Sequence, residues 1–266
     1  MRRPTVTWSW AIISIACLVG IVALAPQPAA GVTLCSPVFS DEFNGTQLDT
    51  TRWDTTYPSG DAERQAYLPA ALKVSGGLLR LAATARPAQG HPYTSGIITT
   101  QDTFAQQYGY FEIRTRVPHG QGLWPAFWLL HTGPLPWTEI DVFEFLANDT
   151  TTLYMSNHWR DEANQEQHLT QPFTGPDYAV GFHTFGVNWT TDSLTWYVDG
   201  TPRLQTRDHV PAEPLFILAN LAVGGQWPGY PDATTHFPAY MDIDYIRVYA
   251  PGCHPGLFGL IGKWPR

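Results

Sequence analysis

The sequence predicts an all-β sandwich of two antiparallel sheets, and three observations carry that expectation. Short runs rich in Val, Ile, Leu, Thr and aromatic residues recur along the chain. Turn signals separate them, at Asn44-Gly45, Gly76-Gly77, Pro118-His119-Gly120, Asp199-Gly200 and Gly224-Gly225. Helix formers are sparse beside 23 Gly and 23 Pro, which interrupt helices. Many short strands over a mature chain of roughly 235 residues suit closure as a β-jelly roll. The 266 residues contain no internal repeat and no long linker, so one domain is expected over 32–266.

The chain opens on a leader, expected as a signal peptide over residues 1–31. Arg2 and Arg3 precede an uncharged run from Ala11 to Ala25, and Pro26 to Gly31 offers small residues for cleavage. The alternative is an uncleaved membrane anchor, since Trp8 to Ala25 gives 18 residues, at the short limit for a span. Secretion is the expectation. Cys17 falls within the leader and leaves Cys35 and Cys253 at opposite ends of the domain. In an oxidising compartment one disulfide joins them; otherwise they are two thiols. The net charge of −8 and the lack of a basic cluster argue against nucleic acid or anionic membrane as a partner. A monomer is expected.

Strands follow at 78–83, after the Gly76-Gly77 turn, and at 96–100, which reads Gly-Ile-Ile-Thr-Thr. Aromatic and β-branched residues mark 108–117, 124–130 and 139–146. Further strands are expected at 151–158, at 183–189 and 194–198 before the Asp199-Gly200 turn, at 215–223 and at 241–249. The Gly/Pro-rich segment from Pro251 to Arg266 reads as a packed tail.

The strand at 139–146 holds three acids, Glu139, Asp141 and Glu144, within six residues. On a helix Asp141 would lie about 200° around from Glu139; on a strand the two share a face. Strict alternation sends Glu144 to the opposite face, among Ile140 and Val142, where an unpartnered carboxyl costs several kcal/mol. A β-bulge near Val142-Phe143 restores it to the face of the other two. Three carboxyls in a row cannot all ionise at neutral pH. A carboxylate beside a carboxylic acid is what a retaining glycosidase needs. An acidic strand facing solvent and a metal site are the alternatives these residues leave open.

Several further segments carry a resemblance. They are Asp41-Glu42-Phe43-Asn44-Gly45-Thr46, Tyr93-Thr94-Ser95-Gly96-Ile97-Ile98, Tyr108-Gly109-Tyr110-Phe111-Glu112 and Gly122-Leu123-Trp124-Pro125-Ala126-Phe127-Trp128. Glu139-Ile140-Asp141-Val142-Phe143-Glu144 follows, then Trp196-Tyr197-Val198-Asp199-Gly200, Asn220-Leu221-Ala222-Val223-Gly224-Gly225-Gln226-Trp227, and Asp244-Tyr245-Ile246-Arg247-Val248-Tyr249. In this order, from about Phe39 to Tyr249, the chain resembles glycoside hydrolase family 16, in its laminarinase (endo-β-1,3-glucanase) branch.

The resemblance implies a concanavalin A-like jelly roll with a concave substrate cleft, and secreted, retaining, endo-acting hydrolysis of β-1,3-glucan. It makes Glu139 the nucleophile and Glu144 the acid/base, with Asp141 between them. It places Trp124, Trp128, Asn220 and His158 in the cleft, with Glu63 as a further sugar contact; Trp227, in a loop rich in Gly and Pro, reads as a sugar platform rather than as core. Family members often read Asn-Glu-Leu-Gln where this chain has Ala62-Glu63-Arg64-Gln65, which puts the outer glycone subsites in question. No cofactor is expected for catalysis. A structural calcium ion is implied at Glu42, Asp244 and a carbonyl near Gly77; the alternative pairs Asp244 with Arg247 or with solvent. Rival functions on the same fold are a transglycosylase, a galactan hydrolase acting on agarose-type chains, and a non-catalytic glucan-binding protein.

Overall fold

Strand-forming side chains alternate inward and outward along nearly every run, and the chain closes them into two packed sheets. The structure is a computed structural model that describes Met1 and residues 35–60, 62–131, 133 and 137–254. The expected leader, and the tail beyond residue 254, lie outside the described residues. No helix among the described residues is long and apolar enough to cross a membrane.

In chain order the strands are β1 (Phe39–Asp41), β2 (Gln65–Tyr67), β3 (Leu72–Ser75), β4 (Leu78–Ala83), β5 (Tyr93–Ser95), β6 (Ile97–Thr99), β7 (Ala105–Gln106), β8 (Gly109–Arg116) and β9 (Leu123–His131). They continue as β10 (Thr138–Phe145), β11 (Thr152–Arg160), β12 (Glu166–Thr174), β13 (His183–Trp189), β14 (Leu194–Val198), β15 (Thr201–Thr206), β16 (Leu215–Val223) and β17 (Ala239–Tyr249). One antiparallel sheet runs β15-β14-β13-β8-β17-β4-β3, with β1 also on β17. The other runs β12-β11-β10-β9-β16-β6, with β7 also on β16. A short parallel pair, β2 and β5, stands apart. The expected strands at 78–83, 183–189, 194–198 and 215–223 form with those limits, and the other six within two residues of theirs.

The inner faces of the two sheets meet in one apolar core. Phe111 and Ile113 of β8 and Trp196 of β14 face Phe127 and Leu129 of β9 and Phe143 and Phe145 of β10. Burial of this kind is the main favourable term in folding. It leaves the outer face of each sheet available for polar chemistry.

On the eight-stranded sheet that outer face is a ladder of charged pairs. Asp242 lies directly between Arg80 on β4 and Arg116 on β8 in register. Arg80 donates to it at 2.6 and 3.1 Å and Arg116 at 2.6 Å. Arg114 pairs with Asp244, and Arg247 donates to Glu42 at 2.8 and 2.7 Å. Tyr110 and Tyr245 both donate to Glu112, each at 2.9 Å. Cys35 and Cys253 form the expected disulfide, with their Cα atoms 5.5 Å apart, against Tyr110, Tyr197 and Tyr249.

Asp242 is only 1% exposed. Burial pushes its carboxyl up, but the hydrogen bonds from Arg80 and Arg116 outweigh this and hold it below the usual carboxylate value. A carboxyl depressed on folding stabilises fully above its unfolded pKa, and that stability is lost as pH falls through the folded value. Asp242→Asn is therefore expected to cost about 2 kcal/mol or more at neutral pH. The deficit should shrink below about pH 4, as read from urea unfolding midpoints at a series of pH values.

Candidate active site

The open face of the seven-stranded sheet carries the acids, and β10 places them there through a register fault. Against β11, Asp141 pairs with Ser156 and Glu144 with Tyr154, so three steps on β10 match two on β11. Against β9, Asp141 pairs with Trp128 and Phe143 with Phe127, which leaves Val142 as the extra residue. Val142 and Phe143 both enter the core, and Glu144 returns to the face of Glu139 and Asp141. This is the bulge expected from the polarity of the strand. A bulge interrupts the ladder and exposes backbone polar groups to the core. Here the indole nitrogen of Trp196, from the opposite sheet, donates to the Asp141 carbonyl at 2.8 Å.

The three acids line a hollow of about 140 Å³ together with Glu63, Trp124, Ala126, Trp128 and Asn220. A second hollow, of about 470 Å³, continues over β11 and β12. It shares Glu139, Glu144 and Trp124, and adds Tyr154, Ser156, His158, His168, Thr170, Pro172 and Trp227. A third, of about 560 Å³, shares Glu63 and extends the other way past Tyr57, Ser59, Tyr67 and His91. Together they form a trough across the strands, with the acids in its middle.

Ring and amide contacts set the walls. Trp124 donates to Glu144 at 3.1 Å and meets Trp227 edge-on, with centroids 5.7 Å apart. Tyr154 also meets Trp227, at 4.8 Å. Trp227 is 42% exposed, as a platform for a ligand would be. Trp128 donates to Asn220 at 2.8 Å, and Asn220 donates to Tyr67 at 3.0 Å. Asn220 therefore lines the hollow while holding Trp128 in place. Glu63 accepts from Gln65, and burial raises its carboxyl. His158 faces the acids, its Nε2 being 3.1 Å from Asp141 Oδ2, though poorly aligned for a hydrogen bond. Its Nδ1 lies 3.7 Å from Glu166.

Burial raises all three central acids, and the negative charge of Asp141 raises the two glutamates further. Asp141 itself is pushed up to about 7 by burial, held back by a hydrogen bond with Glu139. Glu139 and Asp141 thus compete for one proton, and Glu144 is driven towards its neutral form. Glu139, Asp141 and His158 also offer ligand atoms within 4.8 Å of one another, the one such cluster among the described residues. A proton shared by Glu139 and Asp141 meets the same electrostatic need that a cation would.

Comparison with known proteins agrees with this geometry. The profile of glycosyl hydrolases family 16 matches residues 49–247. The chain belongs to that family. It is 36% identical to an endo-1,3-1,4-beta-glycanase of Rhizobium meliloti, over 82% of this chain and 52% of that protein. The chain spans about half the length of this relative and of a second glycanase from the same organism. It is 32% identical to a beta-glucanase of Rhodothermus marinus, over 80% of this chain and 84% of the other. The laminarinase catalytic domain of Thermotoga maritima superposes with a TM-score of 0.73 at 33% identity, covering 81% of this chain and 98% of that one. An endo-beta-1,3-glucanase from Pyrococcus furiosus gives 0.72 at 32% identity, covering 81% and 94%.

The calcium site implied by the family resemblance does not fit the donor set found here. Glu42 is held by both nitrogen arms of Arg247, and Asp244 is paired with Arg114. The alternative partner for Asp244 also differs from expectation, because Arg247 belongs to Glu42. Hard cations need carboxylates free of such partners, and two guanidinium groups already neutralise these. Gly77 carries a positive φ of 76°, and Asn44 Oδ1 lies beside it.

Among the trough residues, Tyr154 and Ser156 follow from period two with His158 on an expected strand. Tyr57, His168, Thr170 and Pro172 carried no comparable signal.

Two outcomes are expected. Trp196→Phe leaves the buried Asp141 carbonyl without its donor and should lower the unfolding free energy by about 1–3 kcal/mol, measured by urea titration. EDTA should leave the melting temperature unchanged, and added calcium should not raise it in a thermal scan.

Proposed function

We propose that the domain is a retaining endo-β-glucanase that cleaves β-1,3-glucan by double displacement. The observation that carries this reading is the bulge, which gathers Glu139, Asp141 and Glu144 on one floor with unequal claims on protons. Retaining cleavage needs two carboxyls roughly 5–5.5 Å apart. Glu139 and Glu144 stand opposite Leu130 and Ala126 of β9, four residues apart, a span of about 13 Å along a strand. Two long glutamates leaning over the shorter Asp141 suit that span.

In the first step Glu144, neutral and held by Trp124, protonates the glycosidic oxygen while Glu139 attacks the anomeric carbon. A glycosyl ester on Glu139 forms and the leaving sugar departs towards Trp227. In the second step the Glu144 carboxylate takes a proton from water, which attacks the same carbon, and Glu139 leaves as carboxylate. The reactive microstate places the proton of the Glu139–Asp141 pair on Asp141, which then donates to Glu139. This keeps the nucleophile ionised although burial pushes it towards the neutral form. His158 Nε2, 3.1 Å from Asp141 Oδ2, flanks the pair on the side of β11.

A trough that continues on both sides of the acids suits attack within a chain, and the 1,3 linkage is favoured by the likeness to the laminarinase and endo-beta-1,3-glucanase structures above. A secreted enzyme is consistent with the leader and with the Cys35–Cys253 bridge.

Glu139→Gln and Glu144→Gln should each lower kcat on laminarin by at least about a thousandfold, measured as reducing-sugar release. NMR of the first product should show the β-anomer. Near-normal turnover in either variant, or an initial α-anomer, would sink the assignment. Both variants should also melt higher than the parent. A carboxyl raised on folding destabilises the fold above its folded pKa and ceases to do so below its unfolded one. The gain should therefore grow from about pH 4 upwards.

A further inference from the structure

The trough is acidic, with Glu63, Glu139, Asp141 and Glu144 along its floor, and a cation, Arg64, follows Glu63 in the chain. Arg64 lies between Glu63, which lines two of the hollows, and Gln65, whose side-chain carbonyl accepts from Val223 N at 2.7 Å. The backbone N–H of Arg64 donates to the Val223 carbonyl at 2.8 Å, so its Cα is tied to the end of β16. Its guanidinium carbon stacks 4.9 Å from the centre of the Tyr230 ring.

The place of this side chain is set by Gly224. That residue has a φ of +78°, and a Cβ there would meet Arg64 Cγ at 2.8 Å and Tyr230 Cδ1 at 2.9 Å. A Cβ on the next residue, Gly225, would touch Trp124 Cζ3 at 3.4 Å. The stem of Arg64 is thus separated from the indole that holds Glu144 by the Gly224-Gly225 backbone. The missing side chain at Gly224 is what lets Arg64 approach.

Arg64 is partly buried, and none of the ion pairs or side-chain hydrogen bonds among the described residues includes its guanidinium. The arginines of the opposite outer face, Arg80, Arg114, Arg116 and Arg247, each hold a carboxylate. A stacked guanidinium presents a planar fork of donors that matches a carboxylate or sulfate in paired hydrogen bonds. Its stem and plane are already ordered by Tyr230, which lowers the entropy cost of engaging one.

We propose that Arg64 is a specificity residue that recognises an anionic substituent on the glucan, on a sugar unit near the bond cleaved, and that acid-substituted β-glucan is the preferred substrate class. The inference rests on the glucanase reading. Without Arg64 the acidic floor repels such chains; with it, one charge on the chain finds a fixed partner.

The test compares three forms of one β-1,3-glucan: neutral, partially carboxymethylated and partially sulfated. The readout is the ratio of kcat/KM on each charged form to that on the neutral form. At low ionic strength this ratio should be about tenfold higher for the parent than for Arg64→Leu, the worth of one charge-assisted hydrogen bond. It should fall towards the variant's value in 0.5 M salt, where exposed charges are screened over about 4 Å. Arg64→Lys should retain part of it. Equal ratios in parent and Arg64→Leu overturn the proposal, including the case where both substrates suffer alike, which would mark a contact with sugar hydroxyls. A salt-independent ratio in the parent overturns it even if Arg64→Leu does not fold. Cleavage of no glucan at all would instead overturn the hydrolase reading. Retardation of parent and Arg64→Leu in gels carrying each glucan then decides on Arg64 without turnover.

Discussion

The hydrogen bond from Trp196 to the Asp141 carbonyl is the constraint on which the site depends. β10 must carry one more residue than its neighbours for Glu144 to face outward. That extra residue interrupts the ladder inside an apolar core, where an unmet carbonyl is costly. The donor comes from the other sheet, so the bulge is pinned by the packing of the sandwich. Val142 and Phe143, 2% and 0% exposed, fill the core on the bulged side. The arrangement of the acids is thus a property of how two sheets stack, and any shift of one sheet against the other is felt at the open face.

The two outer faces solve opposite electrostatic problems with similar residues. On the eight-stranded sheet each acid meets an arginine or a tyrosine hydroxyl: Asp242 has two guanidinium partners, Glu42 and Asp244 one each, and Glu112 two phenols. That face is neutralised pair by pair. On the seven-stranded sheet Glu139, Asp141 and Glu144 meet chiefly one another, Trp124 and His158. Charge there is left unbalanced, and protons become the counter-ions. The same fold therefore keeps a stable face and a reactive one, separated by the thickness of the core.

Most of the sandwich was legible in the amino-acid pattern because inward-facing residues alternate with a clear period. The strand β16, buried along its whole length, reads Leu-Phe-Ile-Leu-Ala-Asn-Leu-Ala-Val. Its single polar residue, Asn220, marks the face that meets the trough. The facing of Glu144 was legible for a related reason, since a carboxyl on the wrong side of β10 would have been buried among hydrocarbons. The edges were not legible. β12 reads Glu-Gln-His-Leu-Thr-Gln-Pro-Phe-Thr, mostly exposed, with a proline tolerated because an edge strand has one unpaired side. β15 closes the other sheet with an equally polar run that includes Pro202. Missing β12 meant missing His168, Thr170 and Pro172, which complete one end of the trough. The partners of Glu42 and Asp244 were also hidden, because choosing between a cation and two arginines requires the register of β17 against β1 and β8.

The bridge between Cys35 and Cys253 joins positions 218 residues apart, just outside the first and last strands. Mechanical load applied through segments on either side of the domain would pass through a covalent bond and bypass the sheets. The floor that carries Glu139, Asp141 and Glu144 is thereby shielded from tension, and the register of β10 with it.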